Sequence, residues 1–185
     1  MKLLALLLLS SLLAFSCTDL KKGSQLDAIN VLSVQLDSLD GELASHKMDS
    51  GFYFAQLASA VELRIKTFYF ADTIDMKLGM KMDAYKLMRK KLEPLAGDYN
   101  NLKLGILETK SSVANLKDDI ENGNGKREKY DDFVVFEANK VEQLNVLYKD
   151  YFMSRDKTLA TYNELHSELD AFSMELQEKA KNNIK

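Results

Sequence analysis

Apolar residues in the first part of the chain recur at alternating steps of three and four, the pattern of a helix that packs along one seam. The first run comprises Ile29, Leu32, Leu36, Leu39 and Leu43. The next two seam positions, His46 and Ser50, are polar and precede Gly51. The run then resumes with Phe54, Leu57, Val61, Ile65 and Phe68. We predict one helix over residues 24–70, weakened or kinked near Gly51, and four helices in all if it breaks there.

A second seam continues through the single proline of the chain. Its members are Ile74, Leu78, Lys81, Tyr85, Met88, Leu92, Leu95, Tyr99, Leu102, Ile106, Thr109, Val113, Leu116 and Ile120. A proline inside a helix costs about 3 kcal/mol and usually kinks it, but the register passes Pro94 without a slip. The seam therefore predicts one kinked helix over residues 73–121 rather than two helices, with Asp72 or Thr73 as its N-terminal cap.

The segment Asn122–Gly125 consists of Asn and Gly residues, which accept left-handed backbone and end helices. A third seam follows, with Tyr130, Val134, Glu137, Val141, Leu144, Tyr148, Tyr151, Arg155, Thr158, Tyr162, Leu165, Leu169, Phe172 and Leu176. It predicts a helix over residues 126–181. Short connections make consecutive helices antiparallel neighbours, so the sequence predicts an all-α fold, an elongated, coiled-coil-like antiparallel three-helix bundle over residues 24–181.

Composition narrows the class of protein. The 185 residues include one Pro and no Trp, and 46% are apolar. So little proline argues against a β-sandwich or a collagen-like chain, and so much apolar content argues against wholesale disorder. The formal net charge of −3 gives no general attraction to nucleic acid, so we expect no nucleic-acid partner.

The first sixteen residues have the features of a secretory signal peptide. Lys2 supplies a positive charge, residues 3–15 are apolar except for two serines, and polar residues follow from Thr18. A membrane-spanning helix needs about 20 apolar residues, so this run is too short to span. We predict an export signal over residues 1–16.

Cys17 is the only cysteine of the chain, so it cannot form an internal disulfide. The stretch Leu13–Cys17 resembles a bacterial lipoprotein signal. That resemblance implies a cysteine that carries palmitate and other acyl chains, becomes the first mature residue and anchors the chain to a membrane, with residues 17–23 as a tether. The alternative is an ordinary signal peptide cut nearby, which would leave a free thiol.

Residue types that carry catalysis are few. The two histidines, His46 and His166, lack the Glu-to-His spacing of three that helical di-iron sites repeat on two helices, because Glu164 stands two residues before His166. The Gly123–Arg127 segment lacks the glycine spacing and the following Ser or Thr of a phosphate-binding loop. We therefore expect a protein that is not an enzyme and has no metal site and no cofactor.

Two aromatic triplets are candidates for a partner surface. Consecutive helical residues are about 100° apart, so three aromatic residues in a row cannot all enter one narrow seam. The surface would comprise Phe52, Tyr53, Phe54, Phe68, Tyr69 and Phe70. Packing in the core against a second neighbouring helix is the alternative.

The exit Phe15–Cys17 and the stretch Leu116–Tyr130 resemble the small helical lipoproteins of Bacteroidetes-type Gram-negative bacteria. The resemblance implies a lipid-anchored protein of the cell envelope, in the outer membrane, and brings no activity or functional residue with it. The leading hypothesis is a non-enzymatic spacer, scaffold or docking module with an envelope protein partner. The alternative is a periplasmic carrier that holds an apolar ligand between Tyr- and Met-rich seams. Seams of this kind are equally able to pair helices of two copies, so homo-oligomerisation stays open.

Overall fold

The computed structural model describes residues 21–47, 51–71, 73 and 75–182. Within these ranges the chain forms helices and no strands, which confirms the all-α class. The helices are α1 (Lys22–Ser45), α2 (Gly51–Phe68), α3 (Met76–Asn122) and α4 (Tyr130–Asn182), with a single 3-10 turn at Arg127–Lys129 before α4.

The single helix expected over residues 24–70 is wrong, and the four-helix alternative holds, because α1 ends at Ser45 and α2 begins at Gly51. Ser45 Oγ donates to the backbone carbonyl of Glu42 at 2.7 Å, and His46 Nδ1 lies 2.8 Å from the same oxygen. Side chains that bond backbone carbonyls compete with continuation of a helix. The Tyr151 hydroxyl also donates to the backbone carbonyl of His46 at 2.8 Å.

The expectation of one helix through Pro94 is confirmed, since α3 runs from Met76 to Asn122 without interruption. Leu92 and Leu95, on either side of the proline, are both buried. The cap differs from the prediction: Asp75 Oδ1 accepts from the backbone N–H groups of two residues in the first turn of α3, at 2.9 and 3.2 Å. Asp75 therefore replaces Thr73 as the cap, and Asp72 lies outside the described residues.

The chain divides into two compact units, and the first comprises residues up to Ser38 together with Leu107–Glu142. Its buried apolar side chains fall on the predicted seams: Ile29, Leu32, Leu36, Val113, Leu116, Ile120, Tyr130 and Val141. Gly123 and Gly125 have φ of 69° and 74° in the turn between α3 and α4. The Tyr130 hydroxyl fastens this turn, because its single proton lies within reach of the backbone carbonyls of Asp119, at 2.9 Å, and Asn124.

The second unit comprises Leu39–Ile106 and the chain from Gln143 onward. From α1, α3 and α4 it buries Leu39, Leu43, Tyr85, Met88, Leu92, Leu95, Tyr99, Leu102, Ile106, Leu144, Tyr148, Tyr151, Tyr162, Leu165 and Leu169. On α2 the buried positions include Ala55 and Ala58, whereas the expected seam residues Phe54 and Leu57 are only half-buried. The small alanines turn to the core here, and the larger side chains beside them flank it.

Candidate functional site

The six aromatic residues expected to form a partner surface all belong to the second unit, but only three of them are exposed. Three of them are exposed: Phe52 at 65%, Tyr53 at 58% and Phe70 at 88%. Exposed apolar area that no neighbour covers is typical of interaction sites. We call these three residues the exposed aromatic set. Their exposure is compatible with the partner surface that the sequence predicts.

The other three aromatic residues are half-buried. The ring of Phe54 packs on that of Tyr162, with centroids 4.7 Å apart, and Tyr69 lies 6.0 Å from Phe172. Both contacts join the α2 region to α4. Phe54 and Tyr69 thus follow the alternative interpretation, in which an aromatic ring packs against a second neighbouring helix.

A cleft of about 490 Å³ lies between α2 and α3 in the second unit, and we call it the α2–α3 cleft. Its apolar lining consists of Leu63, Ile65, Tyr69 and Met82. Leu63 is 64% exposed, whereas Ile65 is buried at the base. This volume falls within the range of about 300–1,000 Å³ that is usual for small-ligand pockets. The sequence did not predict this cleft.

The cations that line the α2–α3 cleft differ in how closely they pair with carboxylates. Arg89 Nε donates to Glu62 Oε1 at 2.9 Å, and Arg89 Nη1 lies 3.3 Å from Glu93 Oε1, so this guanidinium is occupied. Lys86 Nζ lies 4.0 Å from an exposed aspartate on its own helix, the limit of an ion pair.

Lys66 completes this lining from the last turn of α2. Its ammonium group has no side-chain partner among the residues that the structure describes. The cleft therefore combines an apolar wall with two cations, Lys66 and Lys86, the second of which has one carboxylate at the 4.0 Å limit of an ion pair.

A tyrosine–histidine cluster lies within the second unit. The Tyr85 hydroxyl and His166 Nδ1 are 2.5 Å apart, and the His166 ring stacks on Tyr162 with centroids 4.4 Å apart and planes 16° apart. Tyr85 is fully buried. When Nδ1 is unprotonated it accepts from this hydroxyl, so the neutral imidazole satisfies a buried donor.

An ion pair lies beside this cluster. Arg64 binds Asp170 and donates from Nε to Ser173 Oγ at 2.8 Å. Burial is the main reason that the pKa of His166 is lowered; Arg64 lowers it further and Asp170 opposes the change. Burial also raises the pKa of Tyr85 well above its usual value.

The directions in which the pKa values of Tyr85 and His166 change limit the chemistry that this cluster can perform. A tyrosine that acts as a base or nucleophile needs a lowered pKa, and that of Tyr85 is raised. In the part of the chain that the structure describes, no three His, Cys, Asp or Glu side chains are grouped to hold a metal ion. The cluster is thus a packed polar layer between helices.

The sequence predicts no metal site at His166, and it did not reveal the contacts of this half-buried ring with Tyr85 and Tyr162. A signal for them was present, because Tyr162 and His166 are four residues apart and therefore share one face of a helix. Tyr85 and Tyr162 were both placed on seams. The sequence did not reveal the axial register between α3 and α4, which brings Tyr85 beside His166.

The lowered pKa of His166 predicts a pH-dependent stability. The unfolded chain takes up a proton near the ordinary pKa of about 6.5, whereas the folded chain resists protonation until a lower pH. The free energy of unfolding should therefore fall as pH drops below about 6.5. Urea titrations followed by circular dichroism between about pH 7 and pH 5 measure this slope. His166→Gln should flatten it, and an unchanged slope in that variant would contradict the assignment.

No family model, no curated protein and no solved structure matches the chain. Within the described ranges, no helix combines the length and the apolar character that crossing a membrane requires.

Proposed function

We propose that the chain is a non-enzymatic, membrane-anchored lipoprotein of the cell envelope that docks a partner protein through the exposed aromatic set. The observation that carries the docking role is the exposure of Phe52, Tyr53 and Phe70. Aromatic residues are enriched at protein interfaces because one side chain buries a large area with few rotatable bonds.

The sequence at the N-terminus supports the anchor. Residues 1–16 have the pattern of an export signal and Cys17 is the only thiol. The tether expected over residues 17–23 is shorter than predicted, because α1 already begins at Lys22. Residues 1–20 lie outside the described part of the structure. The location proposed is the outer membrane of a Gram-negative, Bacteroidetes-type bacterium, reached through acyl chains on Cys17.

The proposed architecture is the elongated, coiled-coil-like antiparallel three-helix bundle that the seams predict. Its first leg would be divided into α1 and α2, and α3 and α4 would form the other two. The buried seam positions within each unit support this arrangement. A rod of this kind is suited to a spacer or scaffold because a helix of n residues is about 1.5n Å long.

The docking role is tested by photo-crosslinking in cells. A benzoylphenylalanine at position 53 should capture one defined envelope protein, and Phe52→Ser with Phe70→Ser should abolish the capture. Phe133→Ser with Phe136→Ser is the matched control, because these two aromatic residues are also exposed but belong to the first unit. Equal loss in both double variants would contradict the proposal, and capture of a second copy alone would replace the partner with self-association.

A carrier of an apolar ligand in the periplasm is the second candidate. Such a ligand was expected between the Tyr- and Met-rich seams, but the seam residues Tyr85 and Met88 are buried. The α2–α3 cleft instead offers open space beside an apolar wall. That cleft is the observation that favours a carrier, and it moves the ligand from the seams to the helix surface.

A further inference from the structure

An ion pair between α2 and α3 defines the axial register of the two helices that flank the α2–α3 cleft. Glu62 and Arg89 are in contact, and the short connection after α2 makes the helices antiparallel. One helical turn onward on α2 is Lys66, and one turn backward on α3 is Lys86. The two lysines therefore stand at the same level, on opposite sides of the cleft.

Apolar residues lie on both sides of this lysine level. Leu63 precedes Lys66 on α2 by three residues, whereas Tyr69 follows it by three. Met82 lies one turn from Lys86 on α3, at the level of Tyr69. A ligand whose charge sits between the lysines would therefore have apolar surface within one turn of its charged group.

We propose that the α2–α3 cleft binds one fatty acid, with its carboxylate between Lys66 and Lys86 and its acyl chain running from there along Leu63 toward Ser59. The proposal rests on the carrier function and names its ligand class. Lys66 and Lys86 supply charge that complements one carboxylate, whereas Arg89 already binds Glu62. Lysine stems also cover apolar surface while their ammonium groups stay in water, so both side chains are suited to close over an acyl chain.

The size of the cleft favours a single monomeric amphiphile. A volume of about 490 Å³ suits one small ligand and not a patch of bilayer. The lining extends from Ser59 on α2 to Tyr69 just after it, which is roughly 15 Å at about 1.5 Å per helical residue. A single extended acyl chain has the shape of such a trough.

The test uses the mature protein and two fluorescent probes that differ only in charge. Dansylaminoundecanoic acid carries a carboxylate, and its methyl ester is neutral. Both are titrated below the concentration at which they self-associate, and the blue shift and intensity of the dansyl emission report binding. We expect the acid to bind with one-to-one stoichiometry and at least roughly tenfold more tightly than the ester, with the difference shrinking as salt is added. Unlabelled lauric acid should displace it.

Charge-reversal variants locate the carboxylate. Lys66→Glu with Lys86→Glu should weaken binding of the acid by roughly tenfold or more and leave the ester nearly unaffected. The matched control is Lys90→Glu with Lys103→Glu, which changes the net charge equally through two exposed lysines that do not line the cleft. Leu63→Gln should weaken both probes, and Leu104→Gln, at another exposed leucine, should weaken neither.

The outcomes distinguish failure of the fatty-acid assignment from failure of the carrier function. If acid and ester bind equally and only Leu63→Gln weakens them, the carrier function stands and the fatty-acid assignment fails. If neither probe binds, the carrier function fails as well. If the acid binds but none of the cleft variants weakens it, the site is elsewhere and the proposal is overturned. Circular dichroism confirms that each variant retains its helical content.

Discussion

Replacing Cys17 with alanine is expected to move the protein from the membrane fraction to the soluble fraction of cells and to remove acyl mass from its N-terminus. The chain has no second thiol that could carry the lipid. Each buried CH₂ of an acyl chain contributes about 0.8 kcal/mol, so several chains hold a protein durably and their removal leaves no comparable attachment. The effect should therefore be close to all or none, measured by fractionation and by the intact mass of the extracted protein.

Thr18→Ala is the matched control, because it changes the neighbouring residue and leaves the thiol in place. That variant should keep both the acyl mass and the membrane location. An unmodified mature chain, cut at a site other than the bond before Cys17, would contradict the anchor. The protein would then be an exported bundle without a lipid, and the carrier would become the leading function.

Leu92→Ala is expected to lower the free energy of unfolding by about 2–5 kcal/mol. Leu92 is fully buried in the second unit, two residues before Pro94. Truncation removes apolar contacts and leaves a cavity that the neighbouring helices fill only in part. If the helix ended at the proline, Leu92 would lie in a terminal turn and its truncation would lower the free energy of unfolding by less. The size of the effect therefore also reports on the continuity of α3.

Leu87→Ala is the control for this comparison. It makes the same chemical change on the same helix, but Leu87 is 57% exposed. A surface substitution of this kind changes stability by about 0.5 kcal/mol or less. Urea unfolding of both variants, followed by circular dichroism, gives the two free energies of unfolding. Losses of equal size would show that Leu92 is not in a packed core.

The seams of the sequence predicted the long helices well, because burial of one face every 3.5 residues leaves a periodic record. Their failures have specific causes. α1 ends at Ser45, where the side chains of Ser45 and His46 contact the carbonyl of Glu42, a local arrangement that a hydrophobic period does not report. On α2, two apolar stripes lie side by side, and only the structure reveals that Ala55 and Ala58 face the core.

The candidate site was predicted only in part. Phe52, Tyr53 and Phe70 are exposed as a partner surface requires, but nothing in the sequence separated them from their packed neighbours. The α2–α3 cleft escaped prediction because Lys66 and Lys86 are twenty residues apart and resemble ordinary solvated charges. Their relation depends on the register between two helices, which an apolar period does not define.

The tyrosine that fastens the turn between α3 and α4 bears on the order in which the chain folds. Its hydroxyl reaches carbonyls only 6 and 11 residues upstream, whereas the contact of Arg64 with Ser173 spans 109 residues. Closing a loop costs more chain entropy as the loop lengthens, and local contacts form faster. The turn between α3 and α4 therefore costs the unfolded chain less entropy to close than the contact of Arg64 with Ser173.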